Sequence, residues 1–463
     1  MSLEQALDLA RAGRHAAEED LLEELRIPSV STLPAHRADV RRNCRWVADR
    51  LASLGFETSV TDVAPDGHPV LQADWRGADG GPTLTVYGHY DVQPPDPLEE
   101  WVTAPFEPSV RDGFVYARGA ADNKGNHLAA LKAAEYSLAA GGPPVNLRFL
   151  LEGEEEVTGP SLPRYLRENA GRLGTDYLLI WDGGFSADNH PQLVTGLRGI
   201  LYVELEASGP AVDLHSGGFG GNAPNPLNTL ARVLGELKGR DGRVTIPGFY
   251  DSVRAPEPAE MVDWDRSEAY GETVRGLMGA SALEGEADYS AAERAWARPT
   301  LDVNGFIGGF TGEGEKTVIP ARGSAKVSMR LVPDQDPMRI LDALREHVDG
   351  LTTPGVRVEV RLLGAAPPVL TGAGHPGAQA LAAAHEAAFG RRALRHRAGG
   401  SIPVTTDFQA ALGAPMMISG LPQPGAGAHS PNEHLSLDHF HRGTEALIRL
   451  FWTLPAPSAS PGQ

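Results

Sequence analysis

The chain has 463 residues, 41% hydrophobic and 22% charged, with a formal net charge of −19; that length suggests about two to four domains, and the acidic balance excludes a surface built to neutralise nucleic-acid phosphates. The single cysteine, Cys44, excludes an internal disulfide and fits a reducing compartment, and no stretch approaches the apolar length of a membrane span. Met1-Ser2-Leu3-Glu4 lacks the basic-then-apolar pattern of a signal peptide, so the expectation is a soluble, cytoplasmic, multi-domain protein with neither a nucleic-acid nor a membrane partner.

Apolar spacing predicts a helix from Leu3 to Leu25, stopped by Ile27-Pro28-Ser29, and a second from Ala38 to Leu54, ended by Gly55. Short apolar runs bounded by turn residues follow at Thr83–Tyr87, Leu147–Leu151 and Tyr177–Trp181, with helical stretches at Gly125–Ala140 and Ser161–Asn169. Strand, helix and strand at this pitch predict an α/β layer around a mostly parallel sheet. Near Gly196 the character changes. Leu201–Ala207 alternates apolar and acidic residues, as a strand with one wet face does. Helical patterns at Pro226–Leu237 and Met338–Val348, with strand-like runs at Lys326–Leu331 and Val356–Leu362, complete a compact α+β unit. A polar insertion at Asp241–Thr300 carries no assignable pattern. After Ala366-Pro367-Pro368 the α/β character returns, with a helix at Pro376–Phe389 and an apolar run at Pro415–Ile418. The expectation is one discontinuous α/β domain, residues 1–196 and 368–463, interrupted by an α+β domain at 197–367. The tail from Pro455 is expected to be disordered.

Acids and histidines gather just after the predicted strands. Thr83–Tyr87 runs into Gly88-His89-Tyr90-Asp91, Leu147–Leu151 into Glu152-Gly153-Glu154-Glu155-Glu156, and Tyr177–Trp181 into Asp182; His429 follows Pro415–Ile418. In open α/β sheets the carboxyl ends of the strands form the ligand crevice. Taken singly, each residue has a plain alternative: Asp122 as a helix N-cap, Glu154–Glu156 as a solvated charge run, Asp182 as a turn residue. Four strands delivering carboxylate or imidazole to one edge are instead the inventory of a metal site. Gly309–Thr317 imitates a phosphate-binding loop, but Glu315 interrupts the required Gly-Lys-Thr.

The segments GHYDVQP (Gly88–Pro94), RGAADNKG (Arg118–Gly125), EGEEE (Glu152–Glu156), DLHSGGFGG (Asp213–Gly221), KTVIP (Lys316–Pro320), MRLVPD (Met329–Asp334), GGSIPVT (Gly399–Thr405) and GAHSPNE (Gly427–Glu433) occur in that order. Together they resemble the di-zinc metallopeptidases of the aminoacylase and glutamate-carboxypeptidase superfamily, in the branch of the cytosolic nonspecific dipeptidases and carnosinases. The resemblance implies a catalytic domain split by a lid and dimerisation domain. It implies that Asp122 bridges two divalent ions, most commonly zinc with manganese or cobalt as alternatives, that His89 and Asp182 complete one site, and that Glu156 and His429 complete the other. It casts Asp91 as the acid that orients His89 and Glu155 as the general base toward a metal-activated bridging water. It implies a cis peptide bond at Asp122–Asn123.

Substrate-side positions follow from the same resemblance. His215 matches a histidine that reaches the neighbouring subunit's site in a homodimer. Arg330 matches an arginine that pairs with a substrate carboxylate, and Thr317, Gly400, Ser401 and His375 match positions lining that pocket. The implied activity is hydrolysis of the amide bond of dipeptides or short peptides bearing a free carboxylate. An N-acyl or N-carbamoyl amino-acid amidohydrolase would use the same site. A non-catalytic peptide-binding homologue would have lost Glu155 or a ligand, and all are present.

Overall fold

The computed structural model describes residues 2–186, 188–256, 258–264, 268–371, 374–399 and 404–456. Most of the tail from Pro455, and with it the expected disorder, lies outside the described residues, as do Gly400 and Ser401. The chain forms an α/β unit and a separate α+β unit. The described residues within Met1–Thr195, Thr371–Arg395 and Pro403–Gln463 make the first, and those within Gly196–Leu370 and His396–Ile402 the second.

At the centre of the first unit is a mixed sheet. Its strands run in the order Glu57–Thr61, Val70–Trp75, Asn146–Glu152, Thr83–His89, Tyr177–Gly183, Met416–Gly420 and Gln192–Leu197. The middle four are mutually parallel, whereas Val70–Trp75 and Gln192–Leu197 join antiparallel. The parallel strands are nearly continuous apolar runs because helices cover them; Thr83–His89 is buried from Leu84 onward. Gly125–Ala139 is the most enclosed helix, buried along almost its whole length. Leu128, Leu131, Phe440, Leu447 and Phe451 join Val86, Phe149 and Leu179 in one core. Parallel strands place their carboxyl ends at one edge, so His89, Glu152, Asp182 and the segment after Gly420 start from the same side.

The stretch expected as one helix from Leu3 to Leu25 is two, Leu3–Ala12 and Arg14–Leu25. The reason is Gly13: the Tyr136 hydroxyl donates to its carbonyl at 3.1 Å, and a Cβ there would lie 2.5 Å from that hydroxyl. A small antiparallel sheet of Ser109–Arg111, Phe114–Tyr116 and His434–Ser436 joins the region before Asp122 to the region after His429.

The second unit is a four-stranded antiparallel sheet ordered Thr300–Gly308, Arg322–Leu331, Gly199–Ser208 and Arg357–Ala366. Alternation along Gly199–Ser208 buries Leu201, Val203 and Leu205. The helices Pro226–Glu236 and Pro337–Leu351 pack Leu230, Val233, Leu341 and Leu344 against them. The described residues of Asp241–Thr300, unassigned from sequence, include helices at Pro258–Trp264, Glu268–Met278 and Ala291–Trp296. No helix among the described residues is long and apolar enough to cross a membrane.

Candidate metal centre

Two clusters of possible ligands share one residue. His89, Asp122 and Asp182 form the first, and Asp122, Glu156 and His429 the second, with the ligand atoms of each within 4.8 Å of one another. Asp122 faces both ways. Its Oδ1 lies 3.0 Å from His89 Nε2 and its Oδ2 lies 3.0 Å from His429 Nε2. Asp182 Oδ1 is 3.7 Å from His89 Nε2, and Glu156 Oε2 is 3.2 Å from His429 Nε2. The peptide bond Asp122–Asn123 is cis.

Each ligand is delivered by a different local device. His89 ends a buried parallel strand, and its Nδ1 lies 3.1 Å from the Asp91 backbone oxygen and 3.4 Å from Asp91 Oδ1. The nearer partner of the ring is therefore the Asp91 carbonyl, while Asp91 Oδ2 accepts from the Glu156 amide at 3.2 Å. Asp91 thus ties a ligand of each cluster to one buried residue. Asp182 is the last acid of its strand and accepts from Asn123 Nδ2 at 2.6 Å. His429 sits in a loop at φ 61° and is exposed. Gly88 is required by close approach, since a Cβ there would lie 2.8 Å from Asn123 Oδ1 and 3.1 Å from His127 Cβ.

The Glu154–Glu156 run divides its labour. Glu154 is buried and accepts from the His68 amide at 2.6 Å and the Ser161 amide at 2.9 Å, fixing the turn before the Ser161–Asn169 helix. Glu156 faces His429 and accepts from Gln93 Nε2 at 2.8 Å. Glu155 belongs to neither cluster and lines a cavity of about 300 Å³ with Glu152, Thr158, Pro160 and Asp407.

Electrostatics follow from burial and crowding. Burial works to raise the Asp122 carboxyl, but hydrogen bonds from His429 and His89 outweigh it and hold the group well below the usual carboxylate range. Burial opposes protonation of His89, yet the Asp182 charge and bonds to Asp122 push it well above its ordinary value. The bonds to Asp122 and Glu156 raise His429 to about 10. Burial, against the opposing pull of His89, lifts Glu155 to about 8, with Asp182 and Glu156 adding to the rise. The cluster draws positive charge. Glu156 Oε1 is also buried with no hydrogen-bond partner among the described residues, a costly state for a carboxylate that a cation relieves. Imidazole nitrogen with carboxylate oxygen is a donor set that zinc, manganese and cobalt accept, so these residues fit divalent cations.

The substrate-side candidates fall elsewhere. His215 and Thr317 lie in the second unit on the paired short strands Leu214–His215 and Val318–Ile319 and the residue beside them, both exposed. His215 Nδ1 accepts from the Gly217 amide at 2.9 Å, and the Ser216 amide donates to the Thr317 carbonyl at 3.1 Å. Arg330 lies in the second unit's sheet, opposite Ile200 and Thr300. His375 is in the first unit but is not brought to the clusters. It caps the Pro376–Phe389 helix by accepting from the Ala378 amide at 3.2 Å, and its Nε2 is 3.1 Å from the Met416 carbonyl. Met416 begins its strand, at the edge opposite the ligands.

Three residues went unassigned in the sequence although each sits inside a quoted motif. Asn123 links Asp182 to the His89 strand, Gln93 braces Glu156, and Glu433 is fully buried with four donors around it. Unlike the acids that directly follow the predicted strands, these three have no such placement to mark them; partners distant in sequence give them their roles.

Residues 85–453 match the model of the family described as Peptidase family M20/M25/M40. The chain is 30% identical to Cys-Gly metallodipeptidase dug1 of Schizosaccharomyces pombe over 443 residues, covering 92% of each. It is 30% identical to the Beta-Ala-His dipeptidase of Homo sapiens over 446 residues, 91% of this chain and 86% of that one. The solved structure of an M20 family metallo-carboxypeptidase, Sso-CP2 from Sulfolobus solfataricus, superposes with a TM-score of 0.82 at 31% identity, over 94% of this chain and 98% of that one.

Proposed function

This chain belongs to peptidase family M20/M25/M40, a family of metallopeptidase hydrolases, and from that membership we propose that it is a di-metal dipeptidase acting on dipeptides or short peptides with a free carboxylate. The observation that carries the proposal is Asp122, whose two oxygens each face a different histidine, between clusters completed by Asp182 and Glu156. Relatives named for Cys-Gly and β-Ala-His dipeptides support the substrate class.

In this proposal His89, Asp122 and Asp182 hold one divalent ion and Asp122, Glu156 and His429 the other, with zinc the first choice and manganese or cobalt also suited to the donors. Such ions, when bound, acidify water and polarise a carbonyl. The remaining work belongs to the chain. Glu155, next to a ligand yet outside both clusters, takes a proton from water and returns it to the leaving amine. Asp91 orients His89 and, through the Glu156 amide, the neighbouring ligand. Arg330 pairs with the substrate carboxylate, as a planar two-pronged donor suits, and the motif positions Thr317, Gly400 and Ser401 are assigned to the same substrate-binding task. His215 donates to the carbonyl oxygen of a substrate held by a second subunit.

That last role needs a homodimer. Support comes from the edge strand Thr300–Gly308, which ends the second unit's sheet and leaves Val303, Phe306 and Ile307 48%, 44% and 69% exposed. Apolar edges of this kind are ordinarily covered by a partner. A cytoplasmic setting accords with the lone, buried Cys44.

The test is metal analysis of the purified protein, then activity on free dipeptides, N-acyl amino acids and N-carbamoyl amino acids. Two ions per chain with turnover of the free dipeptides is the expected result. One ion per saturated chain would sink the di-metal proposal, and turnover confined to N-acyl or N-carbamoyl substrates would replace the substrate class.

A further inference from the structure

We propose that Glu433 is a positioning residue for both metal ions, fixing the bridging Asp122 and the His429 loop in one register. The proposal rests on the ligand set just given.

Glu433 is fully buried. Its Oε1 accepts from the amides of Ala121 at 2.8 Å and Asp122 at 2.9 Å. Its Oε2 accepts from the Gly119 amide at 2.8 Å and Arg118 Nη1 at 2.7 Å. All four partners are donors, so the side chain acts as a carboxylate, with each oxygen taking two bonds. Burial pushes its pKa upward, while Arg118 and the amides oppose that push.

The loop makes such an anion necessary. Gly119 is left-handed at φ 85°, and a Cβ there would lie 2.6 Å from Val92 Cγ1. The turn aims the amides of Gly119, Ala121 and Asp122 at one carboxylate, and buried amides of this kind must be satisfied. Without Glu433, the loop that presents Asp122 loses its anchor.

The same residue belongs to the other ligand loop. Glu433 lies four positions after His429 in the motif Gly427–Glu433. The Ala117 amide donates to the Glu433 carbonyl at 3.1 Å, and His434 pairs with Tyr116. Asn432 beside it accepts from the Val102 amide and donates to the Glu100 carbonyl, each at 2.8 Å. A displacement of Glu433 therefore moves the shared ligand Asp122 and the terminal ligand His429 together. A buried ion pair with Arg118 would account for stability alone; it would not require three of the four bonds to come from backbone amides running up to Asp122.

The experiment uses Zn²⁺ alone, in competition with a chromophoric chelator, on the full-length wild type, Glu433→Gln and Asp74→Asn. Glu433→Gln keeps the shape but turns an amide group toward N–H donors. Asp74→Asn breaks a buried pair with Arg148, 2.7 Å long, on a strand that carries no ligand. Changes to groups supporting metal ligands typically cost 10–100-fold in metal affinity, so Glu433→Gln is expected to weaken both ions by about that factor. Asp74→Asn should lower the melting temperature with both affinities intact. Should Glu433→Gln not fold, Glu433→Asp, which retains charge but shortens reach, is measured in its place with the same expectation. Unchanged affinities in a destabilised Glu433 variant, or a loss confined to one ion, would overturn the proposal and leave Glu433 a structural residue. A wild type holding fewer than two ions would overturn the ligand set and this proposal with it, an outcome visible before any variant is compared.

Discussion

Glu155 and Glu156 are chain neighbours assigned different work, and paired substitutions separate them. Glu155→Gln should abolish turnover with metal content near normal, because it removes the proton carrier and keeps the shape. Glu156→Gln should instead lower metal affinity, since Glu156 Oε2 faces His429; the reverse pattern, read by metal analysis beside initial rates, would shift the assignment by one residue. Gly88 supplies a second test at this scale. An added methyl would press on Asn123 Oδ1 and His127 Cβ, and overpacking of this kind costs about 1–3 kcal/mol. Gly88→Ala is therefore expected to lower stability in urea titration. Because Asn123 also holds Asp182, it should weaken the ion at His89 and Asp182 more than the ion at Glu156 and His429. Equal weakening would argue against a local effect.

Among the elements, the helix Arg14–Leu25 has a task that its sequence conceals. Its Glu24 is fully buried and accepts from Asn43 Nδ2 at 2.9 Å, with His127 Nε2 at 2.7 Å. Lys124 Nζ donates to the Glu24 carbonyl at 3.2 Å and the Ile27 carbonyl at 2.7 Å. His127 in turn places Nδ1 2.9 Å from the His89 carbonyl. Glu24→Ala would deprive the buried Lys124 of its strongest opposing charge and leave Asn43 Nδ2 without its acceptor, and breaking a buried charge pair typically costs about 3–5 kcal/mol; chemical denaturation measures it, and a loss under about 1 kcal/mol would mean the network tolerates the gap. The four parallel strands were legible because strands buried on both faces read as unbroken apolar runs with acids or a histidine after them, whereas the antiparallel Glu57–Thr61, Val70–Trp75 and Gln192–Leu197 went unassigned. Periodicity could not show the break at Gly13, since Tyr136 imposes it from a distant helix. It also missed the helices between Asp241 and Thr300: Pro258–Trp264 and Ala291–Trp296 span only about two turns, and Glu268–Met278 is interrupted by Gly271 and Gly276. At the site, the residue types and strand ends that nominate ligands were visible. The parts played by Asn123, Gln93, Glu24 and Glu433 were not, because each is defined by a partner far along the chain.

For the molecule as a whole, His215 lies in one unit and every proposed ligand in the other. If His215 acts on a second subunit's substrate, His215→Ala should lose about 10²–10³-fold in turnover with its metal intact. Co-expressing His215→Ala with Glu155→Gln should then recover partial activity, because a mixed dimer contains one site with an intact base and an intact histidine from its neighbour. Mixed dimers without recovery would return His215 to a role within its own unit. The split α/β unit has one more consequence, and it concerns synthesis. Three of the four parallel strands, together with His89, Asp122, Glu156 and Asp182, leave the ribosome before the second unit begins. The fourth strand, His429 and Glu433 leave after it ends. The nascent chain therefore carries an unfinished sheet edge and four of the five proposed ligands while the whole second unit is made, and this exposed intermediate is the kind that aggregates. Translation stalled before Met416 should yield chains that bind zinc poorly and depend on chaperones, and release of the final segment should convert both properties at once.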